Sequence, residues 1–149
     1  MQVDVVDIRP LDTPIPGLRF IRADATELAC MQDQSVISLS SLHAVEHIGL
    51  GRYGDTVDPD GWRKACASLQ RVLAPGGHLY FSVPVGRERV MMNAHRIFNP
   101  PTIISAFPEL RLWSFALIDD AGKLHDPAAT CDAEWLEYGC GLFEFVRAV

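Results

Sequence analysis

The sequence predicts a single α/β domain over residues 1–149, with a mainly parallel sheet and an antiparallel C-terminal edge, and three observations lead to that class. A chain of 149 residues has the usual length of one domain, roughly 100–150 residues. The strand-like SVISLSSL at 35–42, a helical segment after it and the apolar HLYFSVPV at 78–85 form a strand–helix–strand unit, which is typical of parallel pairing. Two further strand-like runs, LRLWSFALI at 110–118 and GLFEFV at 141–146, are joined by a turn-rich connection that favours antiparallel pairing.

The remaining elements follow from local signals. VDVVDI at 3–8 and LRFI at 18–21 are short β-rich runs on either side of the turn-rich DTPIPG at 12–17. The helix of the crossover unit is predicted to be capped by Asp58, with Pro59 in its first turn, and to stop at Pro75. Its apolar face consists of Trp62, Cys66, Leu69, Val72 and Leu73. A second, short helix is expected from Asn99 through Phe107.

Composition and charge exclude several classes of partner. Hydrophobic residues make up 48% of the chain and the mean hydropathy is +0.10, values that indicate a well-packed soluble domain. Thirteen basic residues against 19 acidic ones give a net charge of −6, which provides no electrostatic footprint for nucleic acid or an anionic membrane. Neither a signal peptide nor a membrane span is evident, so a cytoplasmic location is expected. The four cysteines form no C-x-x-C pair and are interpreted as reduced, mostly structural thiols.

One motif points to metal chemistry. His43, Glu46 and His47 spell H-x-x-E-H, the spacing of inverted zinc peptidases, in which two histidines bind the metal and the glutamate is the general base. Two such histidines must share one face of a helix, but here the motif follows a strand and precedes the helix-breaking Gly49 and Gly51. We therefore predict that the three residues hold no metal, and a metallohydrolase is the remote alternative. At the carboxyl end of a strand they are better placed to line a ligand site.

The order of elements resembles that of the class I, Rossmann-like S-adenosylmethionine-dependent methyltransferases. Asp7 ends one strand, Asp24 follows the next in ADATEL, a third strand runs into LHAVEHI, and a helix ending in LAPGG precedes the strand FSVPVG. SLHAVEHIGLGRYGD with DPDGW resembles more narrowly an uncharacterised methyltransferase-like family of unknown function. The resemblance covers nearly the whole chain, and its most specific parts are residues 41–62 and 71–86.

The resemblance implies roles for residues at the strand ends. Asp7 would accept hydrogen bonds from the ribose hydroxyls, and Asp24 would contact the adenine amino group with Ala25 contributing backbone. The alternatives are a turn-forming aspartate before Arg9 and a helix cap at Asp24. The segment from Ser41 and Leu42 to His47 would lie beside the methyl donor and substrate.

The same segment carries the candidates for acid–base catalysis. Any of His43, Glu46 and His47 could take a proton from an acceptor hydroxyl or amine, and a structural hydrogen bond is the alternative for each. The sequence does not rank the three.

Basic residues concentrate in one later segment of this acidic chain. Arg87, Arg89, His95 and Arg96 lie within GRERVMMNAHRIF and could clamp a carboxylate or phosphate of the substrate, while solvated surface charge is the alternative. The expected acceptor is a small molecule or a glycan-like compound. Nucleic acid and membrane are not expected partners.

The sequence departs from the family pattern at its beginning. The family has a first strand and a glycine-rich cofactor loop before the strand that ends in Asp7, and neither occurs here. We therefore expect S-adenosylmethionine to bind weakly or not at all, and the competing function is a non-catalytic binding domain. The absent strand would lie between VDVVDI and SVISLSSL in one sheet. Either those strands pair directly, or a second subunit of a homo-oligomer supplies a strand, or the chain is a truncated form of a longer protein.

Overall fold

A computed structural model describes residues 2–11, 14–91 and 94–149. It contains two α-helices, α1 (Gly61–Val72) and α2 (Pro100–Ser105), among the described residues. The strands of the same residues are β1 (Val3–Asp7), β2 (Leu18–Arg22), β3 (Val36–Leu42), β4 (Leu73–Val85), β5 (Arg89–Met91), β6 (His95–Ile97), β7 (Leu110–Ile118), β8 (Leu124–His125) and β9 (Gly139–Arg147). The first two positions of the turn predicted at 12–17 lie outside the described residues.

The predicted α/β class and antiparallel C-terminal edge are confirmed. β1 pairs with β2 and β3 with β4 in parallel, whereas β4–β9, β9–β7 and β7–β8 are antiparallel. The five strands β3-β4-β9-β7-β8 form one sheet in that order. Because the crossover from β3 to β4 runs through α1, the strand–helix–strand unit read from the sequence is present as predicted.

The start of α1 differs from its prediction. Asp60, not Asp58, occupies the N-cap position, and the helix begins at Gly61. The Asp58 carboxylate instead accepts the Asp60 N–H at 3.0 Å, which forms a tight turn before the helix. Because the Asp58 carboxylate already accepts the N–H two residues further on, it is not used as a helix cap. The helix therefore starts two residues later than Pro59 suggested.

The core lies between the main sheet and the two helices. The apolar face of α1 is buried as predicted, and it packs with the odd-numbered side chains of β4, which include Leu79, Phe81 and Val83. Phe107, just after α2, contacts Phe81 and Phe145 with ring centroids 5.2 and 4.9 Å apart. Full burial of each such ring is worth about 1.5–3 kcal/mol. Tyr80, on the opposite face of β4, is 44% exposed, so that strand is not covered on both faces along its whole length.

The expectation that VDVVDI and SVISLSSL share one sheet is wrong. Within the described residues β1 and β2 form a two-stranded sheet of their own, and no backbone ladder joins β1 to β3. The His43 N–H donates to the Ser82 carbonyl, so the odd-numbered residues of β3 direct their backbone groups to β4 and the even-numbered ones direct theirs to an open edge. Direct pairing of the two strands is thereby excluded, and a strand from a second subunit or from a longer chain stays a prediction.

The segment between β4 and α2 contains a hairpin that the sequence did not predict. Arg89–Met91 and His95–Ile97 pair as a short antiparallel hairpin, although each strand has only three residues and half of the residues in the two strands are Arg or His. In the described part of the chain no helix has the length and apolar character needed to cross a bilayer.

Candidate functional site

A cavity of about 770 Å³ opens at the carboxyl ends of β1, β2 and β3. Its wall is built from the end of β1, the turn after β2 and the loop that follows β3. The lining residues are 6–9, 23–27, 42–44, 47–49 and 53–56, together with Asp58, Gly61 and Lys64. The volume is typical of small-molecule sites, which span roughly 300–1,000 Å³. The gap between β1 and β3 therefore opens into a cavity of small-molecule size at the strand ends.

The wall of the cavity is acidic. Five carboxylates line it, against three lining cations that are all paired: Arg9 with Asp7 at 2.7 Å, Lys64 with Asp58 at 2.6 Å, and His43 with the buried Glu46 at 3.0 Å. The remaining carboxylates, Asp24, Glu27 and Asp55, leave an excess of negative charge. Such a cavity favours a cationic ligand over an anionic one.

Asp7 lies in the cavity wall, where the sequence placed it, but its carboxylate is occupied. It accepts bonds from the Arg9 backbone N–H and from the Arg9 guanidinium Nε and Nη2, at 2.8, 3.1 and 2.7 Å. The hydrogen bond from the Arg9 side chain is the main cause that lowers the pKa of Asp7. Asp7 is thus an ionised acceptor in the cavity wall, as a cofactor contact requires. It is also the turn-forming aspartate that the alternative interpretation predicted.

Asp24 and Ala25 also line the cavity. The Asp24 Oδ1 atom accepts the Thr26 N–H and hydroxyl, each at 2.8 Å, and so caps the turn that follows β2. Leu42 belongs to the wall as well, whereas Ser41 is outside the lining. Four of the five expected cofactor residues therefore meet at this one cavity.

The loop after β3 is shaped by glycines and by Asp55. Gly49, Gly51 and Gly54 all have positive φ, and a Cβ on Gly49 would collide with the Asp58 carbonyl oxygen. The Asp55 carboxylate accepts the N–H groups of Gly49, Gly51 and Tyr53 at 2.7, 3.3 and 3.1 Å. Burial opposes ionisation of Asp55, but these three donors outweigh it and lower its pKa.

His43, Glu46 and His47 converge at the end of β3. Glu46 is 1% exposed, and its Oε1 atom lies 3.0 Å from His43 Nδ1 and 3.7 Å from His47 Nε2. Both histidines line the cavity and Glu46 lies behind them. Val45–His47 form a single 3-10 turn, so the motif lacks the longer helix that two metal-binding histidines would share. No group of three or more potential metal ligands is found among residues 2–11, 14–91 and 94–149.

The two histidines have different environments. His43 Nε2 lies 3.1 Å from Cys140 Sγ, and the hydrogen bonds to Cys140 and to Glu46 raise the pKa of His43 to about 10. His47 Nδ1 lies 2.7 Å from the Ala94 carbonyl oxygen, which can only accept, so Nδ1 carries a proton and Nε2 is directed elsewhere.

The four residues expected to bind the substrate do not line the cavity. Arg87 and Arg89 pair with Glu137 at 3.3 and 3.7 Å. His95 stacks edge-on against His47 with ring centroids 6.1 Å apart. Arg96 is buried and donates to the carbonyl of Ile48 at 2.6 Å.

Sequence reasoning missed Cys140 and Asp55. Cys140 is separated from His43 by 97 positions and lies in no motif, so no local signal could have joined them. Asp55 did carry a signal, because an aspartate among three glycines is a usual acceptor for loop N–H groups.

Comparison with solved structures shows which fold this arrangement shares. The Burkholderia thailandensis 1,6-didemethyltoxoflavin-N1-methyltransferase matches 99% of this chain at 14% identity with a TM-score of 0.63. The N-methyltransferase NodS from Bradyrhizobium japonicum, solved with S-adenosyl-L-homocysteine, matches 98% at 15% identity with a TM-score of 0.59. The [4+2]-cyclase SpnF matches 89% at 14% identity with a TM-score of 0.61. The predicted Rossmann-like methyltransferase fold is confirmed.

The match covers only part of each neighbour. This chain spans 62%, 66% and 57% of those three chains, respectively. A search of curated proteins found no significant match. A family model described as "Caenorhabditis protein of unknown function, DUF268" matches residues 27–110, more than half of the sequence.

Proposed function

Because the chain belongs to the DUF268 family of unknown function and has a class I methyltransferase fold, we propose that it is an S-adenosylmethionine-dependent methyltransferase-like protein. The acidic cavity at the carboxyl ends of β1, β2 and β3 is its cofactor site. The acceptor is a small molecule or a glycan-like compound, and the protein works in the cytoplasm.

The observation that carries the proposal is the match between the charge of the cavity and that of the ligand. S-adenosylmethionine, when bound, supplies an electrophilic methyl group on a positively charged sulfonium. Five lining carboxylates against three paired cations leave a net negative charge, so the cavity is suited to such a cation. Ligands of open α/β sheets also bind at the carboxyl ends of the strands, where the strand order is interrupted.

The residues present fit the adenosine half of the cofactor. Asp7 ends β1 and Asp24 lies in the turn after the adjacent parallel strand β2, and both offer carboxylate oxygens to hydroxyl and amino groups. Each such hydrogen bond contributes about 0.5–1.5 kcal/mol, or up to about 3 kcal/mol when charged. Since micromolar affinity corresponds to about 8 kcal/mol, these contacts alone give weak binding.

His47 is the best placed of the three candidates for the general base. The pKa of about 10 leaves His43 protonated at neutral pH, so it cannot accept a proton there. Glu46 is buried and already bonded to His43. His47 lines the cavity, and its Nδ1 proton is fixed by the Ala94 carbonyl, which leaves Nε2 to receive a proton from the acceptor.

The basic segment contributes to acceptor binding through its exposed members. Arg96 is excluded from that role because its guanidinium is buried against backbone carbonyls. Arg87 and Arg89 remain as candidates, since their partner Glu137 is 65% exposed and can be displaced by an acidic acceptor.

Titration calorimetry with S-adenosylmethionine on wild type, Asp7→Asn and Asp4→Asn tests the proposal. Asp4 is a matched control, because it lies on the same strand and pairs with Arg19, yet is outside the cavity lining. We expect saturable binding with a Kd weaker than about 10 μM. Asp7→Asn should weaken it about tenfold, as loss of a charged hydrogen bond predicts, and Asp4→Asn should leave it unchanged.

Two results would contradict the proposal. Equal losses in both variants would show that Asp7 acts only through the stability of β1. A titration up to about 1 mM cofactor detects a binding free energy of only about 4 kcal/mol. If no saturable binding is seen at that concentration, the non-catalytic binding domain is favoured. The occupied Asp7 carboxylate is the observation consistent with that second function.

A further inference from the structure

Cys140, His43 and Glu46 form a hydrogen-bonded row at the end of β3. Cys140 Sγ lies 3.1 Å from His43 Nε2, and His43 Nδ1 lies 3.0 Å from Glu46 Oε1. The imidazole therefore bridges a thiol and a carboxylate through its two nitrogens. A nucleophile, a base and a group that orients the base are the parts of an activated-nucleophile site.

The carboxylate of Glu46 is buried and incompletely paired. Glu46 is 1% exposed, and within the described residues its Oε2 atom has no hydrogen-bond partner. Arg96 approaches the backbone carbonyl of Glu46 at 3.4 Å and not its carboxylate. His43 and His47 are therefore the cationic partners in reach, and a buried carboxylate is costly unless one of them is charged.

The backbone holds His43 in an unfavourable conformation to reach this position. Its φ is +49°, a left-handed value that few non-glycine residues adopt. The His43 N–H nevertheless bonds the Ser82 carbonyl at 2.9 Å, so the β3–β4 ladder fixes the residue as its ring turns toward β9. Strain of this kind persists where surrounding structure enforces it, and it is concentrated at functional sites.

We propose that Cys140, His43 and Glu46 form a nucleophilic thiol site that exchanges with small disulfides. In the resting site Cys140 is a thiolate and His43 an imidazolium, with the shared proton on His43 Nε2 and Glu46 bonded to Nδ1. The thiolate attacks one sulfur of the disulfide, a Cys140–S–S–R bond forms, and the S–S bond of the reagent breaks. The leaving thiolate takes the proton from His43, so no further oxidant is needed.

The charges around Cys140, His43 and Glu46 agree with a thiolate–imidazolium ion pair between Cys140 and His43. The pKa of His43, raised to about 10 by Cys140 and Glu46, keeps the imidazolium form at neutral pH. His47 is the other titratable group that faces Glu46, at 3.7 Å. The thiolate is the reactive form of cysteine, and a neighbouring imidazolium stabilises it.

The chain contains its own reference thiols. Cys30 and Cys131 are exposed, and Cys66 is buried, where desolvation raises its pKa to about 12. None of these three is hydrogen-bonded to an imidazole in the described structure. Cys140 is half-buried and so less exposed than Cys30 and Cys131, from which it differs in having an imidazole partner.

Dipyridyl disulfide, with the modified cysteine identified by peptide mass spectrometry, measures the reaction at each thiol. At about pH 6 an ordinary thiol with a pKa of about 8.5 is almost entirely protonated. We expect Cys140 to react at least about tenfold faster than Cys30 and Cys131 at that pH, with a nearly flat pH profile where the reference thiols accelerate about tenfold per pH unit.

Variants show whether the fast reaction of Cys140 depends on the His43 imidazole or only on access of the reagent to the thiol. His43→Asn retains a residue that tolerates positive φ, and it should bring the rate at Cys140 to within about threefold of the reference thiols. Glu46→Gln should give an intermediate rate. The proposal is overturned if wild-type Cys140 reacts no faster than Cys30, or if folded His43→Asn retains the wild-type rate. The comparison of thiols within wild type decides the matter even where a variant does not fold.

Discussion

At the scale of single residues, the main finding is that charged side chains divide between the cavity and the scaffold that carries it. Arg96 belongs to the scaffold: it is 6% exposed and donates to the carbonyls of Ile48, Glu46 and Pro59 at 2.6, 3.4 and 3.5 Å. Burial lowers its pKa. The guanidinium thus ties the two ends of the loop that lines the cavity.

Arg96→Met is expected to destabilise the protein by about 2–4 kcal/mol, because it leaves several carbonyls without a charged donor while it retains most of the side-chain volume. Urea denaturation measures the change. Arg87→Met, at a position 61% exposed, is the control and should cost less than about 0.5 kcal/mol. A loss for Arg96→Met as small as that of the control would show that water replaces the guanidinium at no cost.

At the scale of elements, the sequence was informative where apolar periodicity is strong. β7 has the predicted bounds 110–118, because its run of apolar residues is bordered by turn residues on both sides. The β5–β6 hairpin was missed, since each strand is only three residues long and half of the residues are Arg or His. For the loop after β3, the sequence predicted only its position at a strand end. Its geometry depends on the bonds of Asp55 and Arg96, which periodicity does not encode.

The candidate site was predicted only in part, because local sequence signals reveal some of its residues and not others. Asp7 and Asp24 were found through the family resemblance, and His47 through its motif; all three lie at or just after strand ends, which can be read locally. Cys140 was not found, because its contact with His43 depends on the pairing of β9 with β4. Long-range pairing of this kind has no signature in a single sequence.

Two glycines of the loop provide a matched pair. Gly49 and Gly54 have φ of +78° and +84°, but a Cβ on Gly54 would meet open space whereas one on Gly49 would meet the Asp58 carbonyl. Gly54→Ala should cost about 1–2 kcal/mol from backbone strain alone. Gly49→Ala should cost clearly more, because the loop must also move away from α1. Thermal unfolding of both variants measures the difference, and equal costs would mean that the loop does not contact the start of α1 as described.

At the scale of the whole molecule, the sheet is interrupted where the ligand site is expected. β1 and β2 are separate from the five-stranded sheet, and the cavity opens at the carboxyl ends of both parts. The cofactor proposal therefore depends on two parts that no backbone ladder joins in the described residues. A ligand that contacts Asp7 and Asp24 on one side and Leu42 and His47 on the other would connect them.

The most direct test of the central claim is to map S-adenosylmethionine on the protein by backbone amide chemical shifts. The account predicts that residues 8–9 after β1, 24–26 after β2 and 42–44 after β3 shift together and saturate together. Amides of β7 and β8, at the opposite edge of the main sheet, should stay unchanged. Shifts confined to β7 and β8, or shifts at the end of β3 without any at the ends of β1 and β2, would contradict the claim that this cavity is the cofactor site.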